Sequence, residues 1–88
     1  MTLKIEKRAH EGWTIIELSG PLRSEHLAEL KQQIIGERSR MALDLDAVTL
    51  VDVEVVRFLN ACEERGVELL NCWAYIREWM IRENAREG

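Results

Sequence analysis

Apolar and charged positions alternate at Leu3-Lys4-Ile5-Glu6, the period of two that a half-buried strand requires. A polar break, His10-Glu11-Gly12, separates it from Trp13-Thr14-Ile15-Ile16-Glu17-Leu18, which is rich in β-branched and aromatic residues. A hairpin is the economical arrangement of two such runs. Ser19-Gly20-Pro21 is expected to stop the second strand, because proline lacks a ladder donor. The period then changes to that of a helix. Ser24 is the expected N-cap, Leu27, Leu30, Ile34 and Ile35 form one face, and Gly36 ends the helix. Alternation returns at Met41-Ala42-Leu43-Asp44-Leu45-Asp46, and a polar loop is expected to lead to Leu50-Val51-Asp52.

Asp52 reads as the N-cap of a second helix, with Glu54 in its first turn and Val55, Val56, Leu59 and Cys62 as its apolar stripe. Arg65 closes the last turn, and Gly66 is expected to take a positive φ as the stop. Val67-Glu68-Leu69-Leu70 follows as a fourth strand. Tyr75, Ile76, Trp79 and Met80 then mark a third helix. Arg77, Glu78, Arg82 and Glu83 are expected on its wet side, and residues 84–88 are expected to fray. Strands separated by helices imply parallel pairs. The expected fold is therefore α/β: a mixed four-stranded sheet with an antiparallel N-terminal hairpin, the other strands parallel, and three helices in the order ββαβαβα. Residues 1–88 form a single domain on this reading.

Composition narrows the function. The formal charge is −4 and no Lys/Arg cluster is present, which argues against nucleic acid as a partner. No apolar run approaches the ~18–20 residues that span a bilayer. The alternating N-terminus differs from a signal peptide, so a cytoplasmic protein without membrane insertion is expected. Cys62 and Cys72 are too few for a disulfide framework and read as reduced core residues. His10 and His26 show no ligand spacing with either cysteine, so no metal is expected. No Gly-rich phosphate loop and no nucleophile beside a base are recognisable, so neither a cofactor nor an enzyme is expected. The reading of another class is a small enzyme or ion-binding domain using the strand-end aspartates Asp44, Asp46 and Asp52. Three tryptophans are many for this length. Trp79 is expected to pack in the core. Trp13 and Ile15 point away from Ile16 and Leu18, and Trp73 sits at a strand–helix junction. Trp13, Ile15 and Trp73 are thus candidates for a second interface, for docking or for homodimerisation.

The stretch MALDLDAVTLVDVEVVRFLNACEERGVELLN, residues 41–71, resembles the centre of a STAS domain, the module of sulfate transporters and anti-sigma factor antagonists. The resemblance is carried by Leu43-Asp44-Leu45, Asp52 and Gly66-Val67-Glu68-Leu69, with Leu18-Ser19-Gly20-Pro21-Leu22 upstream, over residues 3–83. It implies a non-enzymatic interaction module in signalling and transcription regulation. The implied partner is an anti-sigma factor or related kinase-like ATPase. A small STAS subunit of a transporter ATPase complex is the alternative it allows. The implied contact surface is Val51, Asp52, Val53, Glu54, Val55, Arg57 and Phe58. The family places Asp-Ser-Ser/Thr-Gly at this helix start, and its second hydroxyl residue accepts phosphate. Here the residues are Asp52-Val53-Glu54-Val55, so Glu54 takes the phosphoacceptor position and no hydroxyl is offered. Glu54 then either only stabilises the positive end of a helix or partly mimics a permanent phosphate.

Overall fold

In the computed structural model, which describes residues 2–87, β1 (Lys4–His10) and β2 (Trp13–Leu22) form the expected antiparallel hairpin. A 3₁₀ turn (Ser24–His26) leads into α1 (Leu27–Ile34). β3 (Arg40–Val51), α2 (Val53–Glu64), β4 (Glu68–Leu70) and α3 (Ala74–Glu87) complete the chain. The sheet order is β1-β2-β3-β4, with β2–β3 and β3–β4 parallel. The mixed sheet, the three helices and the order ββαβαβα are those the patterning predicts.

The core lies on one face of the sheet. Ile16, Leu18 and Leu22 of β2 and Met41, Leu43 and Leu45 of β3 cluster with Leu30 of α1, with Val55, Val56, Leu59 and Cys62 of α2, and with Ile76 and Met80 of α3. Two parallel crossovers advance in the same direction across the sheet, and their shared right-handedness puts both helices on one side. The other face is polar. Lys4 pairs with Glu6 and Arg8 pairs with Glu17 there, as exposed ion pairs.

Two expectations about strand ends fail for one reason. β2 does not stop at Ser19-Gly20-Pro21 but runs to Leu22, and the expected loop after Asp46 is strand as far as Val51. Between the pairs Glu17↔Asp44 and Ser19↔Ala47, β2 advances two residues and β3 three. Between Gly20↔Val48 and Pro21↔Leu50, β2 advances one and β3 two. Each step is a bulge with one extra residue in β3, which inverts the side-chain phase. The core positions of β3 therefore change from odd (Met41, Leu43, Leu45) to even (Val48), and the alternation disappears from the sequence. Gly20 permits this path. Its φ is +100°, and a Cβ there would sit 3.3 Å from the Thr2 carbonyl oxygen.

Further departures lie in the helices. Ser24 is not an α-helical N-cap. It opens the 3₁₀ turn, in which the Arg23 backbone N–H donates to His26 Nδ1 at 3.0 Å. Tyr75 is exposed, whereas Glu83, expected on the wet side, retains only 5% of its exposure. The cause is the antiparallel packing of α3 on α2, which places one polar contact per turn. Arg57 Nε donates to Glu83 Oε1 at 3.2 Å, Asn60 Nδ2 to the Met80 carbonyl at 2.9 Å, and Arg77 Nη1 to Glu63 Oε1 at 2.7 Å. α3 continues to Glu87 across residues expected to fray, and Gly88 lies outside the described residues.

Candidate functional site

The site is built where the carboxyl ends of β2 and β3 meet the start of α2. Asp52 has the extended backbone of an N-cap, and its Oδ1 accepts from the Val55 backbone N–H at 3.1 Å. Its Oδ2 accepts from the Ser24 backbone N–H at 2.8 Å. One carboxylate thus caps α2 and ties it to the turn that opens α1. Partial burial pushes the Asp52 carboxyl up, but the N–H donors of Ser24 and Val55 outweigh it and hold the group below the usual carboxylate range.

Around this staple the side chains sort by direction. Val51 and Val53 are half-buried, and Leu50, not anticipated as a surface residue, keeps 38% of its exposure. Glu54 and Arg57 are exposed and joined at 3.1 Å. Arg57 also holds Glu83, so one guanidinium stands between two carboxylates. Phe58 is half-buried against the core, with the Lys31 ammonium 5.9 Å from its ring centroid. Val55 departs from the expected contact surface: it is fully buried, because it points with Leu59 and Cys62 at the sheet. It cannot meet a partner.

The second candidate surface is not assembled. Ile15 is buried beneath the polar face, beside its cross-strand neighbour Arg8, whose stem reaches towards Glu17. Trp13 is half-buried under the Arg40 guanidinium, 5.7 Å from the ring centroid. Trp73 keeps 48% of its exposure, but its indole N–H donates to the Asp46 carbonyl at 3.1 Å. Trp13 pairs with Arg40 and Trp73 with Asp46, so the two rings are about 20 Å apart along β3 at ~3.3 Å per residue.

The strand-end aspartates are employed separately. Asp44 Oδ1 accepts from the Asp46 backbone N–H at 3.0 Å and from Asn71 Nδ2 at 3.2 Å, while Asp52 is the cap. Among the described residues no group of three His, Cys, Asp or Glu side chains is placed to hold a metal ion. Both cysteines are free. Burial pushes the Cys62 thiol up to about 11 and also raises Cys72, so both are thiols, not thiolates, at neutral pH. Among the described residues no helix is long and apolar enough to cross a membrane.

Beside the helix start lies a feature that the strand-and-cap reading missed, a trough of about 430 Å³ between α1 and α2. Its signal was present in the sequence. Glu54, Phe58, Ala61 and Arg65 recur at i, i+4, i+7 and i+11, a single stripe of α2 distinct from the core stripe. The chain matches no protein-family model and no curated protein.

Proposed function

We propose that this chain is a non-enzymatic interaction module of the STAS type, which docks a protein partner on the start of α2. The observation that carries the reading is that Leu50, Val51, Val53 and Phe58 all remain partly exposed close in sequence to Asp52, whose carboxylate bonds both the Ser24 and the Val55 N–H. An idle helix start has no need of such side chains at its surface, whereas the anchors of an interface are of this kind. The resemblance of residues 41–71 to STAS domains supports the same surface. It suggests an anti-sigma factor or related kinase-like ATPase as partner and competition for that partner as the mechanism.

Glu54 gives the module a fixed state. With no hydroxyl at Val53, Glu54 or Val55, the helix start cannot take up phosphate. Glu54 is moreover paired with Arg57, which is itself shared with Glu83. A carboxylate engaged in this way is a rim charge that tunes specificity rather than a full substitute for phosphate, which carries ~−1.5 to −2 charge.

Capture from the native cell extract with wild-type, Val53→Asp and Glu54→Arg baits tests this, with circular dichroism as the fold control. The expected result is a partner retained by wild type, lost with Val53→Asp and reduced with Glu54→Arg. Identical sets of retained proteins on all three folded baits would remove the start of α2 as the interface.

A further inference from the structure

The trough between α1 and α2 has the character of a second half to this interface. Its floor is apolar, formed by Leu27, Ile34, Phe58 and Val67. Its rim carries Lys31, Arg57 and Arg65 against the single carboxylate Glu54. That is a local excess of cations in a chain whose formal charge is −4. The cations are not equally engaged. Arg57 is held by Glu54 and Glu83. The Lys31 ammonium faces the Phe58 ring, and Arg65 has no ion-pair partner among the described residues. The lip is open: Ile35 keeps 70% of its exposure at the end of α1.

We infer that the trough receives an acidic amphipathic helix of the partner protein, its apolar side chains laid on the floor and its carboxylates set against Lys31 and Arg65. The inference rests on the interaction-module reading and names the chemistry of what docks. Three features select this occupant. The charge of the rim calls for an anion. The stripe from Glu54 to Arg65 runs about 16 Å along α2 at ~1.5 Å per residue, the length of three helical turns. A groove between two helices accepts anchors at i, i+3/i+4 and i+7 of a third. A small amphiphile such as a fatty acid fits less well, because small-ligand sites bury ~70–90% of the ligand surface and this trough is open along its lip.

Display selection of random 16-residue peptides on the immobilised full chain tests the inference without needing the native partner. Anisotropy and amide shift mapping of the best recovered peptide complete the test. The expected peptides carry aliphatic or aromatic anchors at i, i+3/i+4 and i+7, flanked by Asp or Glu. They should shift Ile35, Phe58 and Ala61, and bind at least ~10-fold more weakly to Lys31→Glu/Arg65→Glu, a loss of ~1.4 kcal/mol. Circular dichroism reports whether that variant keeps its fold, and Lys31→Ala/Arg65→Ala serves if it does not. Recovery of basic or uncharged peptides, shifts confined elsewhere, or no retained peptide would overturn the inference. So would binding of dodecanoate in place of peptides, or self-association of the chain through the trough. The two proposals fail separately. A native partner whose capture depends on Val53, which does not line the trough, but not on Lys31 and Arg65 removes the trough and leaves the module standing.

Discussion

The two ends of α2 are built on opposite plans. At the N-terminal end every charged group is engaged within the chain. Asp52 is bonded to Ser24 and Val55, and Glu54, Arg57 and Glu83 form a continuous ion-pair series. What remains there for a partner is apolar: Leu50, Val51 and Val53. At the C-terminal end, Arg65 and, across the trough, Lys31 have no carboxylate partner among the described residues. One end invests polar chemistry in holding the fold and presents hydrophobic surface. The other holds its fold through Gly66, core packing and the Glu63–Arg77 ion pair to α3, and presents Arg65 and Lys31 on its trough side. Removing Asp52 or Arg57 at the first end should therefore cost stability, whereas removing Lys31 and Arg65 at the second should chiefly cost affinity.

The largest loss is expected at the cap. Asp52→Ala removes an N-cap and strands the Ser24 N–H, worth together about 2 kcal/mol, read as a lower urea midpoint. Asp52→Asn should keep about half of this, since asparagine also caps. The two variants separate further with pH. The folded-state Asp52 carboxyl lies below its ordinary value of 3.8. Its contribution is thus complete above that value and is lost as pH falls through the depressed folded-state value. Asp52→Asn should lack this component, which acid titration of both proteins will show.

Next is Gly66, whose φ is +91°. Gly66→Val should cost about 1–2 kcal/mol, although nothing lies within 4 Å of the added Cβ, because strain and not crowding is at issue. Gly66→Ala should cost less, and an unchanged urea midpoint for the valine variant would contradict the assignment. Arg57→Met should cost about 1 kcal/mol by leaving the buried Glu83 without its cation, discounted because Arg57 itself is half exposed. Faster amide exchange in the last turns of α3 should accompany it. The smallest effect on the fold is expected from Lys31→Ala/Arg65→Ala, within ~0.5 kcal/mol. A large loss there would mean that the trough cations hold the fold after all.

This asymmetry was only half legible in the sequence. Asp52 and Gly66 announce the ends of α2 through local backbone chemistry, so both are legible in the sequence. The hairpin and the early part of β3 followed from alternation that nothing interrupts. Leu50 and the extension of β3 were hidden, because two bulges invert the phase of the strand and bulges leave no mark of their own in an alternation. Glu83 reads as wet from the sequence because its partner Arg57 lies on another helix. Motif position places Val55 on the contact surface, but the i, i+4, i+7 geometry of Val55, Leu59 and Cys62 turns it into the core. The pairing of α1 with α2 that makes the trough is tertiary. The stripe Glu54, Phe58, Ala61, Arg65 gave one wall of it, but not the wall opposite.

Amide hydrogen exchange of the chain, free and bound to the purified partner that wild-type bait retains and Val53→Asp does not, decides whether the start of α2 is the interface. Slowed exchange is expected over residues 50–58, at the end of β3 and the start of α2, with residues 13–15 and 40–44, the strand segments that carry Trp13, Ile15 and Ala42 on the polar face, unchanged. Protection of residues 13–15 and 40–44 with none at residues 50–58 would contradict it and move the interface to the opposite side of the molecule.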